Sequence, residues 1–186
     1  VVKARSAELG RLMNGYANEV RIMAERDVMR SGDIEAIRRD MIQRAPTYNP
    51  DFEMIFFADT HGRFFTSTDA TGSVLDRDYW HAIIEQGKQG VLSNPLISKA
   101  TGAPVLVVAH AVDDPARGRV GLLAATVLLN TLSDIAGSIR IGERGFGWVS
   151  DPSGRVVAHP DPNLRLKLNL LESPPGFQGL DVIARQ

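Results

Sequence analysis

The chain contains no cysteine among its 186 residues. That removes disulfides, thiolate metal sites and cysteine nucleophiles together. It leaves open whether the chain works in a reducing or an oxidising compartment. A surplus of one charge is lacking too: 21 Lys and Arg stand against 22 Asp and Glu, a net charge of −1. A dedicated nucleic-acid binder carries a basic excess, so no nucleic-acid partner is expected. Runs of like charge are absent, and the nearest approach, Arg38-Arg39, reads as the solvated face of a helix. No stretch reaches the ~18 apolar residues of a membrane span, and no secretory signal pattern opens the chain. The sequence begins at Val1, without Met, inside what reads as a running helix. A fragment of a longer chain is the expectation.

What is present is ordinary for a folded domain. Hydrophobic residues make up 44% and charged residues 23%, enough for a real core. The length fits one large domain or two small ones. Residues 5–30 carry Leu9, Met13, Tyr16, Val20 and Met23 at spacings of three and four, which is one stripe on a helix. Ser31-Gly32 should break it. Asp33 is then an N-cap for a second helix striped by Ile34, Ile37 and Met41, which Ala45-Pro46 ends. Residues 53–58 and 63–68 read as two strands joined by the turn Asp59-Thr60-His61-Gly62. A short helix is expected from Asp78 to about Gln86, a loop over 93–99, strands over 105–112 and 120–129, and a helix over 130–139.

One pattern recurs. Ile55-Phe56-Phe57-Ala58-Asp59 leads to Gly62-Arg63-Phe64-Phe65, and Gly147-Trp148-Val149-Ser150-Asp151 leads to Gly154-Arg155-Val156-Val157. Both read as strand, Asp-x-x-Gly-Arg, strand. The turn has a physical basis: Asp bonds its own backbone, Gly supplies a positive φ, and Arg restarts the ladder. Duplication of a module explains the pair; convergence on a good turn is the other reading.

Chemistry-bearing residues are few. Arg77 precedes a helix and can point a planar fork at a carboxylate, or it can pair with Asp76 or Asp78. Tyr79 and Trp80 can wall a small pocket, or they can fill core. The four histidines are His61, His81, His110 and His159. None has the close spacing of a metal pair. His81 and His110 can be pocket residues or satisfied structural side chains. Gly142-x-x-Gly145-x-Gly147 lacks the Gly-Lys-Ser/Thr of a phosphate loop and precedes a strand rather than a helix. Asp113-Asp114 lie in a Pro/Gly turn, where solvated acids are the simpler account than an acid/base couple. No Gly-x-Ser-x-Gly occurs. No cofactor and no enzymatic activity are expected.

In order along the chain come a long helix, Ala58-Asp59-x-x-Gly62-Arg63, then Asp76-Arg77-Asp78-Tyr79-Trp80. Ser93-Asn94-Pro95 to Ala100-Thr101-Gly102, Gly121-Leu122-Leu123-Ala124-Ala125, and Gly142 to Trp148 leading to Asp151-x-x-Gly154-Arg155 and His159-Pro160 follow. This series over residues 5–175 resembles the double Cache family of bacterial sensor domains. The resemblance implies an α+β fold: a long N-terminal helix, a membrane-distal PAS-like antiparallel-sheet module, and a smaller, incomplete PAS-like proximal module. It implies boundaries at 1–48 for the stalk and second helix, 49–130 for the distal module, and 131–186 for a linker helix and partial proximal module. It implies a periplasmic, ligand-sensing part of an inner-membrane receptor, membrane-anchored in the full-length protein. The absent output domain would be a chemotaxis signalling rod, a histidine kinase or a nucleotide cyclase. A homodimer through the N-terminal helix goes with it.

The resemblance also implies a ligand site at Arg77, Tyr79, Trp80, His81, Ser98, His110 and Thr126. Ser98 and Thr126 fall at or near positions where amino-acid-binding members carry aspartates. Arg77 is kept while both acids are hydroxyls here, so a small organic acid, or another anionic or neutral ligand, is expected rather than an amino acid. The competing readings are a structural or protein-interaction module with a filled pocket and, last, a small hydrolase.

Overall fold

The computed structural model describes residues 2–138, 140–141, 145–146, 148–150, 153–159 and 161–172. The chain divides into two compact units, residues 11–128 and residues 1–10 with 129–186.

The first helix, α1 (Val2–Ala24), is shorter than its stripe predicts. Glu25 and Arg26 interrupt it, Arg26 takes an extended backbone (φ −67°, ψ 144°), and a separate turn α2 (Asp27–Arg30) follows. The break turns Met29 inward, where it is buried, and α2 packs on the β6 strand described below. Tyr16 and Val20 of the stripe are buried. Tyr16 donates to Asp51 Oδ2 at 2.6 Å and meets Phe52 edge to face. α3 (Ile34–Arg44) is capped as expected: the Asp33 side chain accepts from Ala36 N at 3.1 Å. Ile37 and Met41 are its buried face, and Ala45–Thr47 close it as a 3-10 turn.

A seven-stranded sheet follows: β1 (Phe52–Asp59), β2 (Arg63–Thr66), β3 (Thr71–Ser73), β4 (Gly90–Leu92), β5 (Leu96–Ile97), β6 (Pro104–Asp114) and β7 (Gly118–Leu128). Its order is β3-β2-β1-β7-β6-β4, with β5 also on β6, and every pairing is antiparallel. The long pair β6–β7 and the pair β1–β7 form its centre. The first unit thus has the expected α+β class. The edge strands β3, β4 and β5 lie where loop was expected, because each is only two or three residues long.

Alternation along the strands sorts two cores. On one face Phe56, Ala58, Phe64, Val107, Ala109 and Leu122 pack with Tyr79, Trp80 and Ile83 of α4 (Asp78–Ile84). On the other, fully buried Phe57 stacks on Phe65, α3 lies against β2, and Arg38 sits 5.9 Å over the Phe65 ring. Gly121 is required where β7 meets β1: a Cβ there would lie 2.4 Å from Ala58 O and 2.7 Å from the Phe57 ring.

The turn between β1 and β2 is built as its sequence dictates. Asp59 Oδ1 accepts from the backbone of His61 and Arg63, each at 2.9 Å, and Oδ2 pairs with the Arg63 side chain. Gly62 has φ +74°.

The second unit contains α5 (Leu129–Ser138) and three short antiparallel pairings. β8 (Arg140–Ile141) pairs with β9 (Gly145–Phe146), and β10 (Val149–Ser150) with β11 (Val156–Ala158). Arg155 bridges to Asn169. Gly154, in the second copy of the turn, has φ +81°; its Asp151 lies outside the described residues. Val156, Leu168 and Leu170 form the local core. Among the described residues no helix is long and apolar enough to cross a membrane.

Candidate functional site

A cavity lies on the α4 face of the large sheet. The sheet contributes Met54, Phe56, Phe64, Val107 and Thr126. The approach to α4 contributes Val74, Arg77 and Tyr79, and Leu96, Ser98, Lys99 and Ala100 complete the wall. Those last four belong to residues 93–102, a strap tied down at several points. Arg77 Nη2 donates to Ile97 O at 2.7 Å. Lys99 pairs with Asp76 and donates to Ser73 O at 2.9 Å. Thr101 Oγ1 donates to Glu53 Oε1 at 2.6 Å. Inside the strap, Thr101 N donates to Ser98 Oγ at 3.3 Å. The Lys99 hydrogen bond is also what holds the Asp76 carboxyl below the usual carboxylate range.

With the strap so placed, the space open to water centres is about 30 Å³, room for about two waters. Outside it runs a groove of about 300 Å³ lined by Asp76, Asp78, Ala82, Lys88 and residues 91–95. Arg77, Tyr79 and Leu96 line both spaces.

Four of the seven expected site residues therefore come together: Arg77, Tyr79, Ser98 and Thr126. Arg77 is half-buried and pairs with neither neighbouring aspartate; its described hydrogen bond goes to the main chain. Tyr79 is buried. Burial pushes its phenol pKa up, with the Arg77 charge pulling the other way, so the group stays a neutral hydroxyl.

The other three expected residues do not line the cavity, and helix geometry says why. Successive residues on a helix point ~100° apart, so Tyr79, Trp80 and His81 cannot share one target. Tyr79 takes the cavity. Trp80 turns into the core and donates from Nε1 to Asp59 O at 3.1 Å. His81 lies further round, its Nδ1 2.9 Å from Glu85 Oε2 and its ring edge-on to Trp80. His110 is half-buried on β6 beside Gly90, with Nδ1 2.8 Å from Ala111 O. Among the described residues no three of His, Asp and Glu are placed to hold a metal ion.

Sequence reasoning missed Glu53. Strict alternation would send Glu53 and Met54 to opposite faces of the sheet. The pairing of β1 with β7 slips between Phe52 and Met54, so Glu53 is the extra residue of a bulge, a device that re-aims a side chain. Its Oε2 accepts from Thr126 Oγ1 at 2.9 Å while Oε1 accepts from Thr101. The expectation that only hydroxyls stand at this pole is corrected: a carboxylate stands directly behind Thr126. The one signal in the sequence is a lone charged residue inside Phe52-Glu53-Met54-Ile55.

The family described as Cache domain matches residues 1–184. The methyl-accepting chemotaxis protein PscA of Pseudomonas syringae pv. tomato is 26% identical over 184 residues, 94% of this chain and 29% of that protein. The chain thus spans under a third of that relative's length. Among solved structures, the ligand-binding domain of the Pseudomonas fluorescens chemoreceptor CtaA in complex with L-serine superposes with a TM-score of 0.78. Identity there is 22%, with 94% of this chain and 75% of that one covered. The ligand-binding domain of the Pseudomonas aeruginosa chemoreceptor PctC in complex with GABA gives a TM-score of 0.66 at 22% identity, covering 89% and 72%.

Proposed function

The chain belongs to the Cache domain family, and on that premise we propose that it is the extracytoplasmic, small-molecule-sensing part of a bacterial transmembrane receptor. Its ligand is a small carboxylate held by Arg77. The observation that carries this reading is the place of Arg77, on the wall shared by cavity and groove, spending its described hydrogen bond on a main-chain carbonyl. A guanidinium presents five donors in a planar fork, so a carboxylate can replace that carbonyl with a stronger, charge-assisted pair. The ligands named for CtaA and PctC, L-serine and GABA, both carry a carboxylate.

The protein works by population shift. A ligand that binds the open strap better than the closed one moves the equilibrium by its differential affinity and no more. The relatives point to a chemotaxis signalling rod as the output. In the intact receptor α1 is the helix along which a second copy pairs.

A spacer with a filled pocket is the competing reading, and the small closed volume favours it. Against it stand Arg77, Ser98 and Thr126, polar groups that a dry spacer has no need to gather. A thermal-shift screen against organic acids, amino acids, amines and purines decides, since binding to the native state raises the melting temperature by mass action. A saturable shift with carboxylates supports the sensor; no shift with any class supports the spacer.

A further inference from the structure

We propose that Glu53 sets the ligand specificity of the cavity by fixing Thr126 as a hydrogen-bond acceptor, so that the ligand must carry a hydroxyl or ammonium group beside its carboxylate. This rests on the carboxylate-sensor reading and adds the chemistry of the opposite pole.

A threonine hydroxyl has one proton and two lone pairs. The proton of Thr126 has two neighbours to go to, Glu53 Oε2 at 2.9 Å and Met54 O at 3.4 Å. A carboxylate and a carbonyl only accept, so the proton is committed towards β1. What Thr126 turns to the cavity it lines is oxygen lone pairs. Glu53 cannot easily rotate away, because Thr101 Oγ1 donates to its other oxygen at 2.6 Å.

The other polar groups have the opposite character. Arg77 can only donate. Ser98 Oγ already accepts from Thr101 N, which leaves its proton to give. The cavity thus has donors at Arg77 and Ser98 and an acceptor at Thr126, with a negative charge one hydrogen bond behind the acceptor. A plain monocarboxylate or dicarboxylate brings no donor; it would set lone pairs, or a second charge, against Thr126 and Glu53. A hydroxy acid or an amino acid satisfies both poles, and an ammonium also feels the Glu53 charge.

The test is isothermal titration of the intact chain at neutral pH with four matched acids: propionate, malonate, L-lactate and L-alanine. Lactate, alanine or both should bind at least about tenfold more tightly than propionate and malonate, about 1.4 kcal/mol by the conversion of affinity to free energy. Preference for lactate assigns the donor as hydroxyl, preference for alanine as ammonium, and both support the proposal. Glu53→Gln should erase most of an alanine preference while leaving lactate within about threefold, less than half of that tenfold step. Thr126→Val, close in shape, should erase both, with circular dichroism confirming the fold of each variant. Propionate or malonate binding as tightly as lactate and alanine overturns the proposal and leaves the carboxylate sensor standing. So does a preference unchanged in both variants. Binding of none of the four overturns the sensor reading itself, and the proposal with it.

Discussion

Arg77 Nη2 donates to Ile97 O at 2.7 Å across twenty residues of chain, tying the start of α4 to the middle of the strap. The contact makes one side chain both the candidate ligand anchor and the latch of the wall that keeps the ligand out. Anything larger than about two waters must loosen that latch or displace part of the strap.

Strap mobility should therefore depend on its second tie. Lys99 pairs with Asp76 and donates to Ser73 O, both exposed contacts worth little to global stability. Lys99→Met should leave the melting temperature within about 2 °C, the shift that well under 1 kcal/mol gives a chain of this size. Amide hydrogen exchange over residues 93–102 should nevertheless rise several-fold. Unchanged exchange there would mean that Lys99 does not restrain the strap.

Gly121 and Gly15 should respond to alanine in opposite directions. At Gly121 a Cβ would strike Ala58 O and the Phe57 ring, in the central β1–β7 pairing. Overpacking of this kind costs roughly 1–3 kcal/mol, so Gly121→Ala should lower the melting temperature by several degrees. Gly15 is an exposed position on α1 with nothing within 4 Å of a Cβ. Gly15→Ala should stabilise by up to about 1 kcal/mol, the helix-propensity gap between the two residues. Thermal melts of the two variants check both signs.

The β6–β7 turn predicts an acid-labile contribution. Hydrogen bonds from Arg117, and from the backbone of Ala116 and Arg117, hold the Asp114 carboxyl at about 2, below its ordinary 3.8. The Arg119 hydrogen bond lowers Asp113. Folded carboxyls that bind protons less readily than unfolded ones contribute stability that is complete above the unfolded pKa. That contribution is lost as pH falls from about 4 towards 2. Melting temperatures between pH 5 and pH 2 should fall less steeply for Asp114→Asn than for the parent chain. Equal slopes would remove Asp114 from the acid response.

Much of this was legible because local chemistry dictates it. Asp33 is a good cap wherever a helix begins after Gly32, and Asp59, Gly62 and Arg63 build their turn from their own backbone. The order of segments along the chain resembled the Cache family, and four of the residues so picked out line one cavity. What was not legible depends on tertiary pairing. Nothing in Glu25-Arg26 announces a helix break; the break comes from packing Met29 inward. β3, β4 and β5 exist because long neighbours offer them an edge, not because two or three residues specify a strand. Trp80 and His81 sit beside Tyr79 in sequence, but a seven-residue helix carries too little pattern to say which of them faces inward. Glu53 reaches Thr126 only through a bulge, and a register slip leaves no periodic trace in a single sequence.

The central claim is that Arg77 is the anchor of a carboxylate site. Calorimetric titration of the parent chain, Arg77→Ala and Arg77→Lys with the carboxylate that gives the largest thermal shift tests it most directly. A hydrogen bond to a charged group contributes about 1.5–3 kcal/mol, so Arg77→Ala should weaken binding by roughly tenfold to a hundredfold or abolish it, with circular dichroism unchanged. Arg77→Lys should not restore it, since an ammonium cannot offer the planar fork. Full affinity retained in Arg77→Ala would contradict the account.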